Sequence, residues 1–538
     1  MSNKTRIVLL GAGYGGLLTA KKLANKFKKD NQVEITLIDK NPYHTMRTEL
    51  HEVVADRVSE DSIQINLEKI FAGRKVNVVL DKINDINFND KVLKSQKNEY
   101  EYDYLVIGTG CQPTYFGIPG AEEYAHKLWD FDDAVNLKEH ILHMFREAVK
   151  EQDKEKRKKM LTFVVVGGGF TGIEMIGELA DWKDRLCKDF YVDKEEVKLY
   201  VADAMPKILP ILPDNLIKKA ENHLRKLGVE IITGAKITEV SKESVTLGEK
   251  GNIDTNTVIW AAGVEGSELV GNMDIKQQGR KRIVTNDKLQ AIDYENVYVV
   301  GDNIFYIPEG QERPVPQMVE NAEHSAPLIA HNIYADVKGR QQKSYKPTFH
   351  GCMVCIGGKY GLANIEFLGK FFGLSGFLAL FMKHFINLVY FFQVAGFNKC
   401  WSYLLHEFCY VKDNRSLVGG HFANSTPSFW LLPLRILVGY KWLEQGLYNQ
   451  AGIGATVVGL LLIVGLFTDI ASIASIAMAI MIWAFGIESA QTLWFIIGSI
   501  ALIGGSGSVF GLDYYVLPVL KKSWKKIDAI KKWYLYID

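Results

Sequence analysis

The sequence predicts an α/β protein with two dinucleotide-binding domains, followed by an interfacial helical segment and an all-α four-helix transmembrane domain. Three observations carry that prediction. Residues 6–20, "RIVLLGAGYGGLLTA", join a β-forming run to a helical run through a glycine cluster. Residues 163–179, "FVVVGGGFTGIEMIGEL", repeat the arrangement. Residues 367–520 are then crowded with Phe, Leu, Ile and Gly, whereas residues 1–350 have the mixed composition of a water-soluble chain.

In the first unit Gly11 makes the tight turn, Gly13 admits a pyrophosphate to the backbone, and Gly16 lets helix and strand pack closely. The helix then offers free N–H groups and a positive dipole end to the phosphates. The next strand, "VEITLID", ends in Asp39, 28 positions after Gly11 and placed to accept hydrogen bonds from a ribose. Strand, glycines, helix, strand and terminal acid in this order define a Rossmann-like unit.

The second unit repeats it with Gly167, Gly169 and Gly172, and its strand "VKLYVAD" ends in Asp203. The interval of 36 residues is long because the charged segment "DWKDRLCKDFYVDKEE" extends helix and loop. An acid there repels a 2′-phosphate, and residues 204–207 (Ala, Met, Pro, Lys) hold no arginine to receive one, so NADH is expected over NADPH. Two such sites imply one bound flavin, a non-covalent FAD in the first, and one visiting nicotinamide. "YDYLVIGTGCQPTYFGIPG", which contains Gly110, and "NTVIWAAGV" read as strands leaving the nucleotide domains. "NVYVVGDN" sets Asp302 at a strand end, where its carboxylate can meet the flavin's ribityl chain.

Lys plus Arg number 63 and Asp plus Glu 62, which gives no basic excess for nucleic acid. Strand-like sequence from Arg6 leaves no room for a secretory signal peptide. The six dispersed cysteines suggest a reducing compartment, not a disulfide framework. Cys352 and Cys355 form a CxxC, but residues at i and i+3 of a strand face opposite ways, so they are expected to be structural. No metal site is assigned.

Residues 376–397, "GFLALFMKHFINLVYFFQVAGF", are apolar apart from Lys383, His384, Asn387 and Gln393, and read as a helix in the membrane interface. Uncharged runs at 451–468, 470–487 and 489–512, with a weaker span at 429–448 that Arg435, Lys441 and Glu444 interrupt, give four expected spans. The lysine-rich tail "KKSWKKIDAIKKW" places both ends of that bundle, and the catalytic domains, on the cytoplasmic side of a cell membrane.

Over residues 5–410 the motifs "GAGYGG", "NPYHTMRTELHEVVA", "GTGCQPTYFGIPG", "GGGFTGIEMIGEL", "WAAGV" and "VVGDN", in that order, resemble the type II NADH:quinone oxidoreductases. "RILVGYKWLEQGLY", "GLLLIVGLFTD" and "GGSGSVFGLDYY" resemble DoxX-like four-helix membrane proteins. The first resemblance implies a discontinuous FAD domain (residues 1–150 and 269–365) with an NADH domain (151–268) inserted. A membrane-interface segment (366–425) and the DoxX-like domain with its basic tail (426–538) follow. It also implies a non-proton-pumping route from NADH through FAD to a membrane quinone, of the menaquinone type in a bacterium, serving respiration or an alternative electron-export branch. Related disulfide reductases carry cysteines in the helix after the FAD acid; residues 41–54 have none. Glu174 matches a glutamate that lies near flavin and nicotinamide in the family, as an orienting or proton-relay group. The family's AQxAxQ reads here Val319-Glu320-Asn321-Ala322-Glu323-His324, so Glu320 and His324 replace both glutamines and are expected to deliver protons to the acceptor. Two other readings stand beside this one: a diaphorase or NADH oxidase reducing oxygen, metal chelates or a protein, and a redox-sensing membrane transport or assembly protein. Expected partners are a membrane quinone and the lipid bilayer, without nucleic acid, and a homodimer is left open.

Overall fold

The computed structural model describes residues 4–533 except 368, 412, 417, 422, 424–426, 449–451, 485–489 and 525. It divides into two compact units, residues 1–423 and 424–538.

The first unit begins with β1 (Thr5–Leu10), α1 (Tyr14–Lys26) and β2 (Val33–Asp39), the predicted strand–turn–helix–strand. A short helix, α2 (Leu50–Val54), precedes β3 (Asn77–Leu80) and β4 (Tyr104–Ile107). β4, β1, β2 and β3 lie side by side in parallel, as buried strands with helical crossovers do. The second nucleotide unit is built alike from β5 (Thr162–Val166), α3 (Phe170–Phe190), β6 (Lys198–Ala202), β7 (Val229–Ile232) and β8 (Thr257–Trp260). Its order β8-β5-β6-β7 repeats that of the first sheet. The chain then returns: β9 (Tyr294–Val299) pairs in parallel with β4, and α4 (Val319–Val337) packs on α1. The return strand sits next to β4 because Val297, Tyr298 and Val299 are wholly buried and need that edge covered.

An antiparallel sheet of β10 (Gly351–Cys355), β11 (Gly361–Phe367) and β12 (Lys370–Ser375) leads into α5 (Phe377–Leu404), which runs on as a π-helical turn, Leu405–Cys409. α5 is amphipathic in an inverted sense. Its polar residues are buried, Lys383 against Glu49 and Glu52 and His384 against Tyr403 and Phe408, while Phe377, Phe381, Phe385, Phe392, Phe397 and Trp401 are exposed. It breaks at Gly396, whose φ of 73° only glycine adopts easily. The break orphans carbonyls, and Lys21 Nζ, from α1, donates to those of Gln393 and Val394 at 2.6 Å each.

The second unit holds α6 (Leu431–Tyr448), α7 (Gly452–Val464), α8 (Thr468–Ala484) and α9 (Ala490–Leu502), where the four spans are expected. Trp442, Leu462, Ala471 and Ala479 form its core, and Trp442 Nε1 donates to Ser475 Oγ, which is 2.6 Å from Ser499 Oγ. Asp513 accepts from the N–H groups of Phe467 and Thr468 at 2.7 and 3.0 Å. Among the described residues one helix, Phe377–Cys409, is long and apolar enough to cross a membrane; α7 and α8 have 13 and 17 residues. The expected span ends at 449–451 and 485–489 lie outside the described residues.

Candidate functional site

Both glycine turns adopt the geometry their spacing requires. Gly11 and Gly167 have φ of 100° and 116°. A Cβ on Gly16 would stand 1.9 Å from the Gly11 carbonyl oxygen, and one on Gly172 would stand 1.8 Å from that of Gly167, so helix and turn meet only without side chains. At Gly13 and Gly169 the same atom would meet nothing within 4 Å, leaving open space over each helix N-terminus. Neither N-terminus has a side-chain cap, so its N–H groups are free for phosphates.

The two acids share a task that spacing did not reveal. Asp39 accepts from the Ala12 N–H at 2.6 Å and the Asn41 N–H at 2.8 Å. Asp203 accepts from the N–H groups of Gly168 and, at 2.6 Å, Met205. Each carboxylate therefore locks its glycine turn and keeps lone pairs over for a ribose.

Gly110 (φ 70°) is braced by Asn303, whose Oδ1 accepts its N–H at 2.7 Å and whose Nδ2 donates to its carbonyl at 2.8 Å. Asp302 beside it has the Cys111 thiol as its donor, at 3.1 Å. Burial pushes the Asp302 carboxyl up, with the thiol, Arg47 and Arg282 opposing. A desolvated acid with spare acceptor capacity, an open glycine cradle and an uncapped helix end fit a flavin dinucleotide. Arg47, whose charge acts on both Asp39 and Asp302, completes that side and stacks 4.8 Å over the Trp129 ring. Sequence reasoning passed over it because "NPYHTMRTEL" has no periodic signal.

Glu174 rises from the second turn of α3 into a buried polar cluster. Its carboxylate lies 3.5 Å from Cys355 Sγ and 3.9 Å from His51 Nδ1. Lys383 Nζ, from α5, donates to Glu49 Oε2 at 3.0 Å and Glu52 Oε1 at 2.8 Å, and lies 3.3 Å from Cys355 Sγ. Arg57 ties Glu52 to Glu178 (2.9 Å) and Glu407 (2.8 Å). Burial pushes Glu174 up to about 7, so it exchanges a proton near neutrality. Burial and the neighbouring Glu52 push Glu49 up as well. Burial holds His51 down at about 3, hence neutral. Burial works against the charge of Glu52 too, but Arg57 and Lys383 outweigh it and keep it ionised. Lys383, legible in the sequence only as an interruption, and Cys355, set aside as structural, both belong to this cluster. Cys352, its partner in the CxxC, is only half-buried and takes no part in it.

Glu320 and His324 do share a face of α4, with His324 Nε2 4.0 Å from Glu320 Oε1. The closer partner of Glu320 is His350, whose Nδ1 is 2.6 Å away and whose N–H donates at 3.0 Å. The backbone between them rests on the Asp302 loop: Asn321 Nδ2 donates to the Gly301 carbonyl at 3.1 Å, and the Gly301 N–H donates to Ser325 Oγ at 3.2 Å. α5 reaches the first glycine turn through His44, which bonds Ala12 O at 3.0 Å and Tyr390 Oη at 2.7 Å.

Residues 5–326 match the family described as pyridine nucleotide-disulphide oxidoreductase. The fold is similar to that of NDH2 from Plasmodium falciparum in complex with NADH (TM-score 0.68, 19% identity, 77% of this chain and 99% of that one). It is also similar to the sulfide:quinone oxidoreductase of Aquifex aeolicus (TM-score 0.60, 19% identity, 73% and 92%). In sequence the chain is 33% identical over 399 residues to the type II NADH:quinone oxidoreductases of Staphylococcus saprophyticus and Staphylococcus aureus, covering 73% of itself and 97% of each. With two glycine-turn sites, no cysteine pair after the first acid and this likeness over nearly the whole of those proteins, the chain belongs to the type II NADH:quinone oxidoreductases.

Proposed function

We propose that this protein is an FAD-dependent, non-proton-pumping NADH dehydrogenase that reduces a membrane quinone. The observation that carries it is the Glu174–Cys355–Lys383 cluster, a proton-exchanging site under the buried side of a helix whose other side is apolar and exposed. Gly167, Gly169, Gly172 and Asp203 hold the nicotinamide dinucleotide, and Gly11, Gly13, Gly16, Asp39, Gly110 and Asp302 hold the flavin dinucleotide. When bound, FAD supplies the chemistry: it accepts hydride from NADH and returns two electrons to the acceptor. The chain positions both partners and manages protons. Glu174 holds a proton at its carboxyl near neutral pH, and Lys383 keeps Glu52 ionised beside it. Glu320 and His324 face the acceptor from α4, and residues 41–54 hold no cysteine pair for disulfide exchange.

The exposed Phe and Trp residues of α5 seat the first unit on the bilayer, each aromatic face favouring apolar surroundings. The second unit buries Ser472, Ser475 and Ser499 beside Trp442 and Leu462 and exposes Ile470, Ile473, Ile480 and Trp494, an arrangement suited to apolar surroundings. This arrangement supports a DoxX-like multi-pass membrane domain, and the lysine-rich tail supports a cytoplasmic side for the catalytic domains. Stopped-flow mixing tests the reading. NADH should reduce the flavin rapidly, and quinone should reoxidise it faster than oxygen does. Reoxidation by oxygen as fast as by quinone would instead favour an NADH oxidase.

A further inference from the structure

Glu320, His324 and His350 bring three donor atoms of two chemical kinds to one place. His324 Nε2 is 4.0 Å from Glu320 Oε1, and His350 Nδ1 is 2.6 Å from the same oxygen. One ligand atom from each residue lies within 4.8 Å of the other two. We propose that these residues form a binding site for a divalent transition-metal ion of the Zn²⁺ class, and that an ion held there obstructs the acceptor side of the enzyme. The second half rests on reading α4 as the acceptor-facing helix.

The geometry favours an ion over a bare hydrogen bond. Tetrahedral Zn²⁺ with bonds of about 2.0–2.1 Å sets its ligand atoms roughly 3.3 Å apart. The two separations at Glu320 Oε1, 2.6 and 4.0 Å, bracket that value, so small rotations of three side chains suffice. The carboxylate is already oriented, because the His350 N–H donates to both its oxygens at 3.0 and 3.2 Å and can go on doing so outside the coordination sphere. The His324 ring is held nearly parallel to Phe349, at 11° and 6.2 Å between centroids. Access is open: the three side chains are 18%, 30% and 59% exposed. Three protein ligands leave a fourth position free, and imidazole with carboxylate selects Zn²⁺ and its neighbours over Mg²⁺.

The position makes occupancy consequential. Ala322, between Glu320 and His324, abuts Gly301, where an added Cβ would lie 3.3 Å from its own. The ion would therefore sit on the helix that packs on the Asp302 loop through Asn321, Ala322 and Ser325. The sequence alone hid the site because His350 joins from 26 residues beyond His324.

The test uses the full-length, FAD-loaded enzyme in detergent. Equilibrium dialysis should find one Zn²⁺ per chain that Mg²⁺ does not displace. Binding should weaken at least about tenfold in His350→Gln and vanish in His324→Gln/His350→Gln. Equal Zn²⁺ binding by the parent and the double variant overturns the site, provided both retain flavin absorbance. Co²⁺ gives an independent check, since its visible spectrum reports its ligands; a spectrum unaltered by His350→Gln also overturns it. In stopped flow, Zn²⁺ should slow reoxidation by quinone about tenfold or more and leave reduction by NADH unchanged. Unchanged reoxidation with the site filled refutes the obstruction while the metal site stands. Failure of quinone to reoxidise the flavin without Zn²⁺ refutes the acceptor reading instead.

Discussion

Replacing Lys383 by Met should destabilise the first unit in a way that depends on pH. Lys383 is buried, and its ammonium bonds Glu49 and Glu52 at 3.0 and 2.8 Å. Glu52 keeps Arg57, but Glu49 is left with the Asn387 amide at 2.9 Å. Removing one partner of a buried ion pair costs about 3–5 kcal/mol. Unfolding entropy of about 2.1 cal/mol/K per residue over the 423 residues of this unit is roughly 0.9 kcal/mol/K, so Tm should fall by about 3–6 °C. The loss should be largest near pH 8. There the variant must either bury an unpaired Glu49 carboxylate or bind a proton. Glu49 is already pushed above its ordinary range, and losing Lys383 moves it further the same way. Stability carried by a neutral Glu49 is complete below the unfolded carboxyl value and drains away as pH rises, so at pH 5.5 the deficit should shrink. Melting followed by flavin fluorescence release measures both. Glu49→Gln/Lys383→Met should recover most of the loss by removing the stranded acid. A Tm deficit equal at pH 5.5 and 8, or under about 1 °C at both, would refute the reasoning.

Asp203→Ala should raise the KM for NADH about tenfold by removing a ribose acceptor and the brace on the Gly168 and Met205 N–H groups, and should narrow the preference over NADPH because the repulsion of its 2′-phosphate goes too; equal kcat/KM for the two nucleotides in the parent enzyme would contradict this. Glu174→Gln should slow flavin reoxidation on the order of 100-fold and flatten its pH dependence between pH 6 and 8, as measured by stopped flow. Because burial lifts Glu174 from 4.5 to about 7, its ionisation costs the fold about 3 kcal/mol above pH 7, so the same variant should melt higher than the parent at pH 8 but not at pH 4. A chain ending at Ala423 should keep FAD and its reduction by NADH, measured by absorbance, since that unit contains both glycine turns and the polar cluster.

The nucleotide sites were legible in the sequence because their chemistry is local: a glycine that must turn, one that must stay bare and an acid at a strand end fall within 40 residues. "NVYVVGDN" was legible as a strand ending in Asp302, but its place beside β4 was not, because pairing with a strand about 190 residues earlier leaves no local pattern. The proton-exchanging cluster was not legible. It draws Glu49 and Glu52 from α2, Glu174 from α3, Cys355 from β10 and Lys383 from α5, so no spacing records it. Lys383 misled most directly. In a run read as apolar helix it looked like an interruption, whereas burial makes it the reason the helix faces as it does. Glu320 was placed correctly on its helix, but its main partner, His350, came from a separate sheet.

With α5 seated on the bilayer and the flavin at the first glycine turn, as proposed, the contacts joining the two make bilayer and flavin parties to one equilibrium. Lys21, on the helix whose N-terminus receives the pyrophosphate, holds the broken carbonyls of α5, and His44 spans from Ala12 to Tyr390. Two ligands that bias a shared element exchange free energy reciprocally. Whatever factor FAD contributes to membrane affinity, the membrane returns to FAD affinity. Detergent extraction is thus a titration of the cofactor as well as of the lipid, and flavin lost on solubilisation measures how strongly the two are tied.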